Sequence, residues 1–245
     1  MSPNDPRCSG ASVPDEVIRS EFAALSELRD APRYQHWIVE SFVPMLEGRV
    51  LEVGPGNGNF TRFIAPLVEA VTAVEPEPLM ADAVTGLAIP NVEVVPETIE
   101  AMAGSERRWN VAVLLNVLEH IEDDLGALRT TVSLLEPGGH VCVLVPAHQA
   151  LFGSLDTLYG HYRRYSLGDV RRLLETSGLR LLRCRYFNPL GAIGWLLVAR
   201  VRRAKEVPGT AILLTERIGV PLGRLLERLG PPPFGQSVVA IGQRR

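Results

Sequence analysis

The stretch from Val50 to Thr61, V-L-E-V-G-P-G-N-G-N-F-T, constrains this chain more than any other. Its apolar, β-branched start reads as a short parallel strand buried on both faces, and a glycine cluster stops it. Gly54, Gly56 and Gly58 follow at alternate positions. Without Cβ atoms they reach positive φ and let a ligand lie against bare backbone. A helix is expected from about Asn59 to Glu69, aiming its unpaired N–H groups at the same spot. A strand, glycine turn and helix in this order bind a nucleotide, so the chain is expected to build an α/β sheet with its ligand beyond the carboxyl ends of the strands.

Two details narrow the nucleotide. The spacing is G-x-G-x-G rather than the G-x-G-x-x-G of a dinucleotide fold. An acid, Glu52, precedes the first glycine; it repels a pyrophosphate and attracts a cationic group such as an α-ammonium. S-adenosylmethionine carries a ribose and an amino-acid ammonium but no phosphate. Both details also count against a nicotinamide dehydrogenase. The next apolar run, Val71–Val74, ends in Glu75 about twenty residues past the glycines, where a doubly wound fold places a carboxylate on ribose hydroxyls. Cofactor contacts are therefore assigned to Glu52, Gly54, Gly56, Gly58 and Glu75, with an adenine contact placed by position alone near Glu97–Ile99.

Further strands are expected at Asn91–Val95, Trp109–Asn116, Val141–Val145, Leu179–Phe187 and Ser237–Gly242, and the run L-E-P-G-G-H at 135–140 reads as a helix stop and turn. Asn116 ends the fourth strand and Glu119 and His120 follow it; all three face the cofactor's reactive end or the substrate, and Asn116 is counted among the cofactor contacts. Glu119 and His120 lack a third ligand at diagnostic spacing, so no metal is expected. The loop Pro146–Tyr165 gathers His148, Asp156, Tyr159, His161, Tyr162 and Tyr165 ahead of a helix at Leu167–Ser177. His161 is the first candidate for a general base and His120 the second. Arg163 and Arg164 are candidates to hold an anionic acceptor bidentately, beside Tyr162 and Tyr165. Two helices, Pro14–Asp30 and Pro32–Leu46, precede the first strand, each with Pro near its start. Tyr34 and Trp37 lie on one face of the second, which either packs on the sheet edge or roofs the substrate pocket.

V-L-E-V-G-P-G-N-G, the strand ending in Glu75, W-N-V-A-V-L-L-N-V-L-E-H and L-E-P-G-G-H-V-C-V-L-V-P-A resemble four consecutive motifs of class I S-adenosylmethionine-dependent methyltransferases, over about residues 49–147. Leu155-Asp156, G-H-Y-R-R-Y-S at 160–166, Tyr186-Phe187-Asn188 and P-F-G-Q-S at 233–237 resemble a bacterial branch that often accompanies glycosyltransferases and natural-product pathways. The resemblance implies a Rossmann-like, seven-stranded, mostly parallel sheet with an antiparallel last strand, N-terminal helices and a helical insertion before that strand. It implies S-adenosylmethionine-dependent methyl transfer, with a non-catalytic cofactor-binding partner of the same fold as the alternative. Together with the insertion and the basic residues of 161–205, the acceptor is expected to be small-molecule or lipid-linked, with anionic character as one option, in secondary or glycoconjugate metabolism. Pro55 departs from the small or polar residue usual inside the glycine turn.

The 245 residues suit one α/β core: a flexible tail at 1–13 and a single domain at 14–245. Within it, N-terminal helices occupy 14–47, the cofactor-binding core 48–147, a substrate-side loop, helix and strand 148–188, the insertion 189–236 and the last strand 237–245. A hydrophobic content of 46% and a mean hydropathy of +0.11 suit a packed chain. Although the net charge is only −3, residues 161–205 hold 11 Arg/Lys against 2 acids. That asymmetry fits an anionic acceptor, an anionic membrane surface, or simply solvated helix faces. Nucleic acid is not expected as a partner. Cys8, Cys142 and Cys184 are too scattered for a disulfide framework or a zinc set. No signal-peptide pattern opens the chain and no apolar run reaches the roughly 18 residues of a membrane span, so the chain reads as soluble and cytoplasmic. In the insertion, 189–199 is apolar nearly all round, Arg200, Arg202, Arg203 and Lys205 follow it, and a second helical stretch at about Ala211–Leu229 has Pro221 as a break or kink. That pattern suits peripheral membrane contact or a lid on a greasy acceptor.

Overall fold

The computed structural model describes residues 15–29, 31–197 and 209–245. Short β-branched runs form the strands β1 (Arg49–Val53), β2 (Ala70–Val74), β3 (Val92–Val95), β4 (Trp109–Leu115), β5 (Leu135–Pro146), β6 (Leu179–Phe187) and β7 (Ser237–Arg244). They make one sheet in the order β3-β2-β1-β4-β5-β7-β6. All pairings are parallel except those of β7, which runs antiparallel to both β5 and β6. This is the Rossmann-like, mostly parallel sheet expected. The strand order reverses between β1 and β4, which opens a crevice beyond their carboxyl ends.

Successive residues of a strand point to opposite faces, and the core divides accordingly. Leu51, Val53, Ala112, Leu114, Val141, Val143 and Val145 share one cluster. It is covered by α5 (Asp124–Ser133) and α7 (Leu167–Thr176), whose Leu128, Val132, Val170 and Leu174 complete it. Val50, Val71, Ala73, Val111, Val113, Cys142, Leu144, Val239 and Ile241 face the other way, toward α2 (Pro32–Glu40), α3 (Thr61–Ile64) and α4 (Pro78–Thr85). The remaining helices are α1 (Asp15–Leu28), α6 (Ser154–Leu158), α8 (Pro189–Trp195), α9 (Gly209–Leu214) and α10 (Val220–Arg228). Local chemistry sets several ends. The Asp123 carboxylate accepts from Gly126 N at α5, and Ser166 and Asp169 form a reciprocal capping box at α7.

Four expectations change in detail. The helix after the glycine turn is a single turn followed by a 3₁₀ turn at Ala65–Leu67, because Pro66 cannot continue the ladder. Pro44 likewise leaves Val43–Met45 as a 3₁₀ turn after α2. The L-E-P-G-G-H run opens β5 instead of preceding it. Pairing there jumps from Trp109↔Leu135 to Val111↔His140, a bulge that Gly138 accommodates at φ +83°. Pro221 does not break the second insertion helix. A π-helical turn at Thr215–Gly219 joins α9 to α10 and absorbs the missing N–H.

Trp37, a candidate for substrate contact, belongs to the core. It is 5% exposed, its ring lies 4.3 Å from that of Phe187, and Gly223 of α10 leaves room for it. The insertion begins at the carboxyl end of the edge strand β6 and returns against α2. Glu216 accepts from the backbone N–H groups of Arg33 and Tyr34, Arg224 pairs with Glu40, and Arg185 pairs with Glu227. The basic run Arg200–Lys205 lies outside the described residues. No described helix is long and apolar enough to cross a membrane.

Candidate active site

The glycine turn takes the form its composition requires, with Gly54, Gly56 and Gly58 at φ +61°, +57° and +79°. A Cβ on Gly54 would stand 2.9 Å from Val117, and one on Gly56 2.8 Å from Leu25 of α1. Side chains at these positions are therefore excluded twice, by backbone strain and by space. Pro55 fits: its carbonyl accepts from Gly58 N at 3.0 Å.

Glu52 and Glu75 end adjacent strands beside this turn and are 3% and 6% exposed. Glu75 Oε2 accepts from Gly56 N at 3.0 Å and Oε1 from Glu77 N at 3.1 Å, so this carboxylate closes across the turn. Glu52 Oε2 has no hydrogen-bond partner among the described residues, nor do the buried side-chain oxygens of Asn57 and Asn59. Buried polar atoms are normally satisfied. Two carboxylates, orphaned acceptors and bare glycine backbone fit a cofactor with an ammonium and a ribose. Burial, with repulsion from Glu75, pushes the Glu52 carboxyl up to about 7. α1 lies over the turn, where the Leu25 carbonyl accepts from Asn59 Nδ2. Burial and the charges of Glu75 and Glu77 push Glu21 of α1 up to about 7. Glu21 went unnoticed in the sequence, because nothing local marks a helix acid that faces inward.

Three of the non-glycine residues with positive φ, Asn116, His148 and Asn188, come within two residues of the ends of β4, β5 and β6. Such strain persists where the surroundings over-determine it, and it clusters at functional edges. Asn116 is exposed at the crevice. Asn188 caps α8 and donates to Gln236, which joins the two late motifs. Tyr34 also hydrogen-bonds Asn188, and burial pushes its phenol up to about 12.

Beyond the cofactor turn the fold brings together Glu119, His120, Asp156 and His161. The two imidazoles meet edge to face with centroids 4.7 Å apart. His161 Nδ1 lies 2.8 Å from Asp156 Oδ1, and Asp156 is fully buried. Asp156 also accepts from Gly153 N and from Arg164 Nε, the latter at 2.6 Å. Burial alone would raise Asp156, but the His161 and Arg164 bonds hold it below the ordinary carboxylate range. His120 bonds the Tyr159 carbonyl, and burial with the facing His161 pushes it down to about 3. Glu119 is 1% exposed with Oε2 unpartnered among the described residues, and burial pushes it up to about 8.

Three candidate contacts resolve differently. Arg164 is 5% exposed, held by Asp156 and the Ala147 carbonyl, and lies over the Trp195 ring of α8 at 4.7 Å. Arg163 pairs with Asp124 at 2.9 Å and donates to the Glu122 carbonyl. Tyr165 is 3% exposed and donates to Asp124, and burial raises its phenol strongly. All three hold the loop to α5 and to β5. Tyr162 remains half exposed at the rim. Of the positions assigned to an adenine contact, Ile99 packs in the core cluster.

The raised carboxyls give the ligand-free protein a definite pH response. A folded state holding protons that the unfolded chain has lost is destabilised as pH rises. Burial lowers His120 and His148, which act in the opposite sense below their ordinary value of 6.5. Between pH 6.5 and 8 the raised carboxyls of Glu21, Glu52 and Glu119 lose their protons, so the melting temperature should fall across that interval. Glu52→Gln should make the fall shallower. An unchanged slope in scanning calorimetry would show that Glu52 is ionised throughout.

Residues 16–183 match a family model described as a methyltransferase domain. Among curated proteins, a ubiquinone biosynthesis O-methyltransferase of Serratia proteamaculans is 29% identical over 128 residues, covering 51% of this chain and 52% of that protein. The chain thus spans about half the length of the curated relatives it matches. Among solved structures, an S-adenosylmethionine-dependent methyltransferase from Thermotoga maritima superposes with a TM-score of 0.63 at 16% identity, over 94% of this chain and 100% of that one. One from Mesorhizobium loti gives 0.58 at 15% identity, over 84% and 95%. At such identities these two speak for the fold alone.

Proposed function

The chain belongs to the methyltransferase-domain family, and from that premise we propose that it methylates a hydroxyl of a small or lipid-linked acceptor. S-adenosylmethionine is the cofactor. It supplies a sulfonium methyl whose S–C bond breaks as the acceptor oxygen bonds to the carbon, leaving S-adenosylhomocysteine and a proton. The chain's own residues have three tasks. Glu52, Glu75 and the glycine backbone bind and orient the cofactor. α1, through Leu25 and Glu21, shields it from water. The histidine cluster beyond Val117 meets the acceptor and its proton. Positioning of this kind accounts for much of the rate in a two-reactant displacement.

The observation that carries the hydroxyl reading is the Asp156–His161–His120 constellation, two partly exposed imidazoles backed by a buried carboxylate. A hydroxyl must lose its proton at or before attack, whereas the sulfonium side needs no acid or base. The curated relatives, O-methyltransferases by name, point the same way. The test is conversion of cofactor to S-adenosylhomocysteine with hydroxylated acceptors; cofactor binding without turnover on any of them would favour a non-catalytic binding partner. Glu75→Ala should leave the protein folded and weaken cofactor binding about 10–100-fold, as expected when a charge-assisted bond worth about 1.5–3 kcal/mol is lost. Titration calorimetry showing full affinity would remove Glu75 from the site.

A greasy acceptor is favoured by the insertion. Leu213, Leu214, Ile218, Leu225 and Leu229 are each more than half exposed along α9 and α10, a larger apolar display than a soluble surface usually leaves uncovered. The protein should therefore sediment with vesicles containing anionic lipid at low salt, and Leu214→Glu together with Leu225→Glu should abolish this. Sedimentation of neither protein would leave a soluble acceptor.

A further inference from the structure

Glu119 and His120 are adjacent after β4, and in the sequence they have no partner at metal-ligand spacing. The fold supplies one. His161, from the loop after β5, brings its imidazole against His120, and the ligand atoms of Glu119, His120 and His161 all lie within 4.8 Å of one another. We propose that these three residues form a site for one divalent transition-metal ion of the zinc class, open toward the methyl acceptor.

Four observations carry the assignment. The donor set, two imidazoles and one carboxylate, is one that zinc and its neighbours in the first row accept, with remaining positions left for a substrate. The ligands are oriented from behind: His161 Nδ1 bonds Asp156, which turns Nε2 toward the cluster, and His120 bonds the Tyr159 carbonyl. Carboxylate–histidine and carbonyl–histidine pairs of this kind fix the tautomer a metal requires. Glu119 is 1% exposed, and its Oε2 has no partner among the described residues, an expensive arrangement unless a ligand completes it. A further acid also faces the cluster. Glu21 Oε1 lies 3.8 Å from His120 Nε2, while Asp156 is already paired with Arg164. Bonds of about 2.0–2.2 Å need ligand atoms no more than about 4.2 Å apart, so the side chains must draw in by well under one rotamer step.

The role of the site rests on the methyl-transfer reading, but its ligand set does not. A cation there lowers the pKa of an acceptor hydroxyl and orients it. The substrate class is then an acceptor whose reacting hydroxyl, alone or with a neighbouring oxygen, can ligate a metal. On this account His161 and His120 hold the ion together and neither collects a proton alone.

The experiment uses the tag-free full chain, stripped with chelator, titrated with Zn²⁺ and separately with Co²⁺ at pH 7.5. Expected are one equivalent bound per chain and a visible ligand-field spectrum for Co²⁺. Glu119→Gln and His161→Ala should each lose more affinity than the about 10–100-fold that removing an outer partner costs. Asp156→Asn should fall within that range. His120→Asn serves if either ligand variant fails to fold by circular dichroism. Absence of stoichiometric binding by wild type, or equal binding by wild type and a folded ligand variant, overturns the site. Cofactor affinity, measured in parallel, keeps the two readings apart. A chain that binds S-adenosylmethionine but no metal loses only this proposal. One that binds metal but no S-adenosylmethionine loses the methyl-transfer reading.

Discussion

Replacing His161 by glutamine is expected to slow methyl transfer by about 10²–10⁴-fold, the usual cost of losing a group that manages a substrate proton, while cofactor affinity stays near wild type. The separation follows from the architecture. The proposed cofactor contacts belong to the turn after β1 and the end of β2, whereas His161 is presented by the loop after β5 and is fixed by Asp156. Glutamine preserves some hydrogen bonding to Asp156 and fills most of the volume, so the loop should persist. What it cannot do is offer a basic nitrogen whose other side is already bonded to a carboxylate. His120→Gln should behave similarly, because the two rings face each other at 4.7 Å and share one space. Single-turnover rates with saturating cofactor are the decisive measurement. Near-full rates in both variants would assign the acceleration to positioning alone.

The second large effect is on stability. Asp156→Ala is expected to cost about 3–5 kcal/mol, because it strands Arg164 as a buried charge without its partner. Arg164 is 5% exposed, beneath the Trp195 ring, and donates to Asp156 through Nε; Gly153 N and His161 lose the same acceptor. For a chain of this length each kcal/mol lowers the melting temperature by about 2–4 °C, so a fall of roughly 6–20 °C is expected. Adding Arg164→Met should recover part of it, since a well-packed apolar pair often matches a buried ion pair. Equal stability of the single and double variants would mean that Arg164 reaches water once Asp156 is gone. Because Asp156 is held below the ordinary carboxylate range, its contribution is present above the unfolded pKa and is lost as pH falls through the folded one.

These two residues mark the boundary between what the chain announces and what it conceals. The strands, the glycine turn and the pairing of Glu52 with Glu75 beside it were legible because each has a local cause. β-branched runs suit a buried strand, only glycine fits three positive-φ positions, and an acid ending a strand stands at the carboxyl edge whatever the loops do. The helix boundaries were less legible where a proline acted within a turn, as at Pro66 and Pro221, since the sequence does not say whether the ladder stops or passes through a π turn. Trp37, Arg163, Arg164 and Tyr165 have the chemistry of substrate ligands, and local pattern alone cannot distinguish a guanidinium awaiting an anion from one already paired with Asp124 or Asp156.

By itself, then, the sequence determined the sheet, the glycine turn and the sheet edge to which the candidate residues belong. Each depends on backbone preferences and on a period of two or 3.6, quantities carried by consecutive residues. Only the tertiary structure decided that His161 faces His120 over Glu119, that α1 covers the turn with Leu25 and Glu21, and that the two arginines are occupied. Those contacts join residues that are remote along the chain. Their existence depends on how two crossovers close over the same crevice, and no short-range pattern encodes that closure.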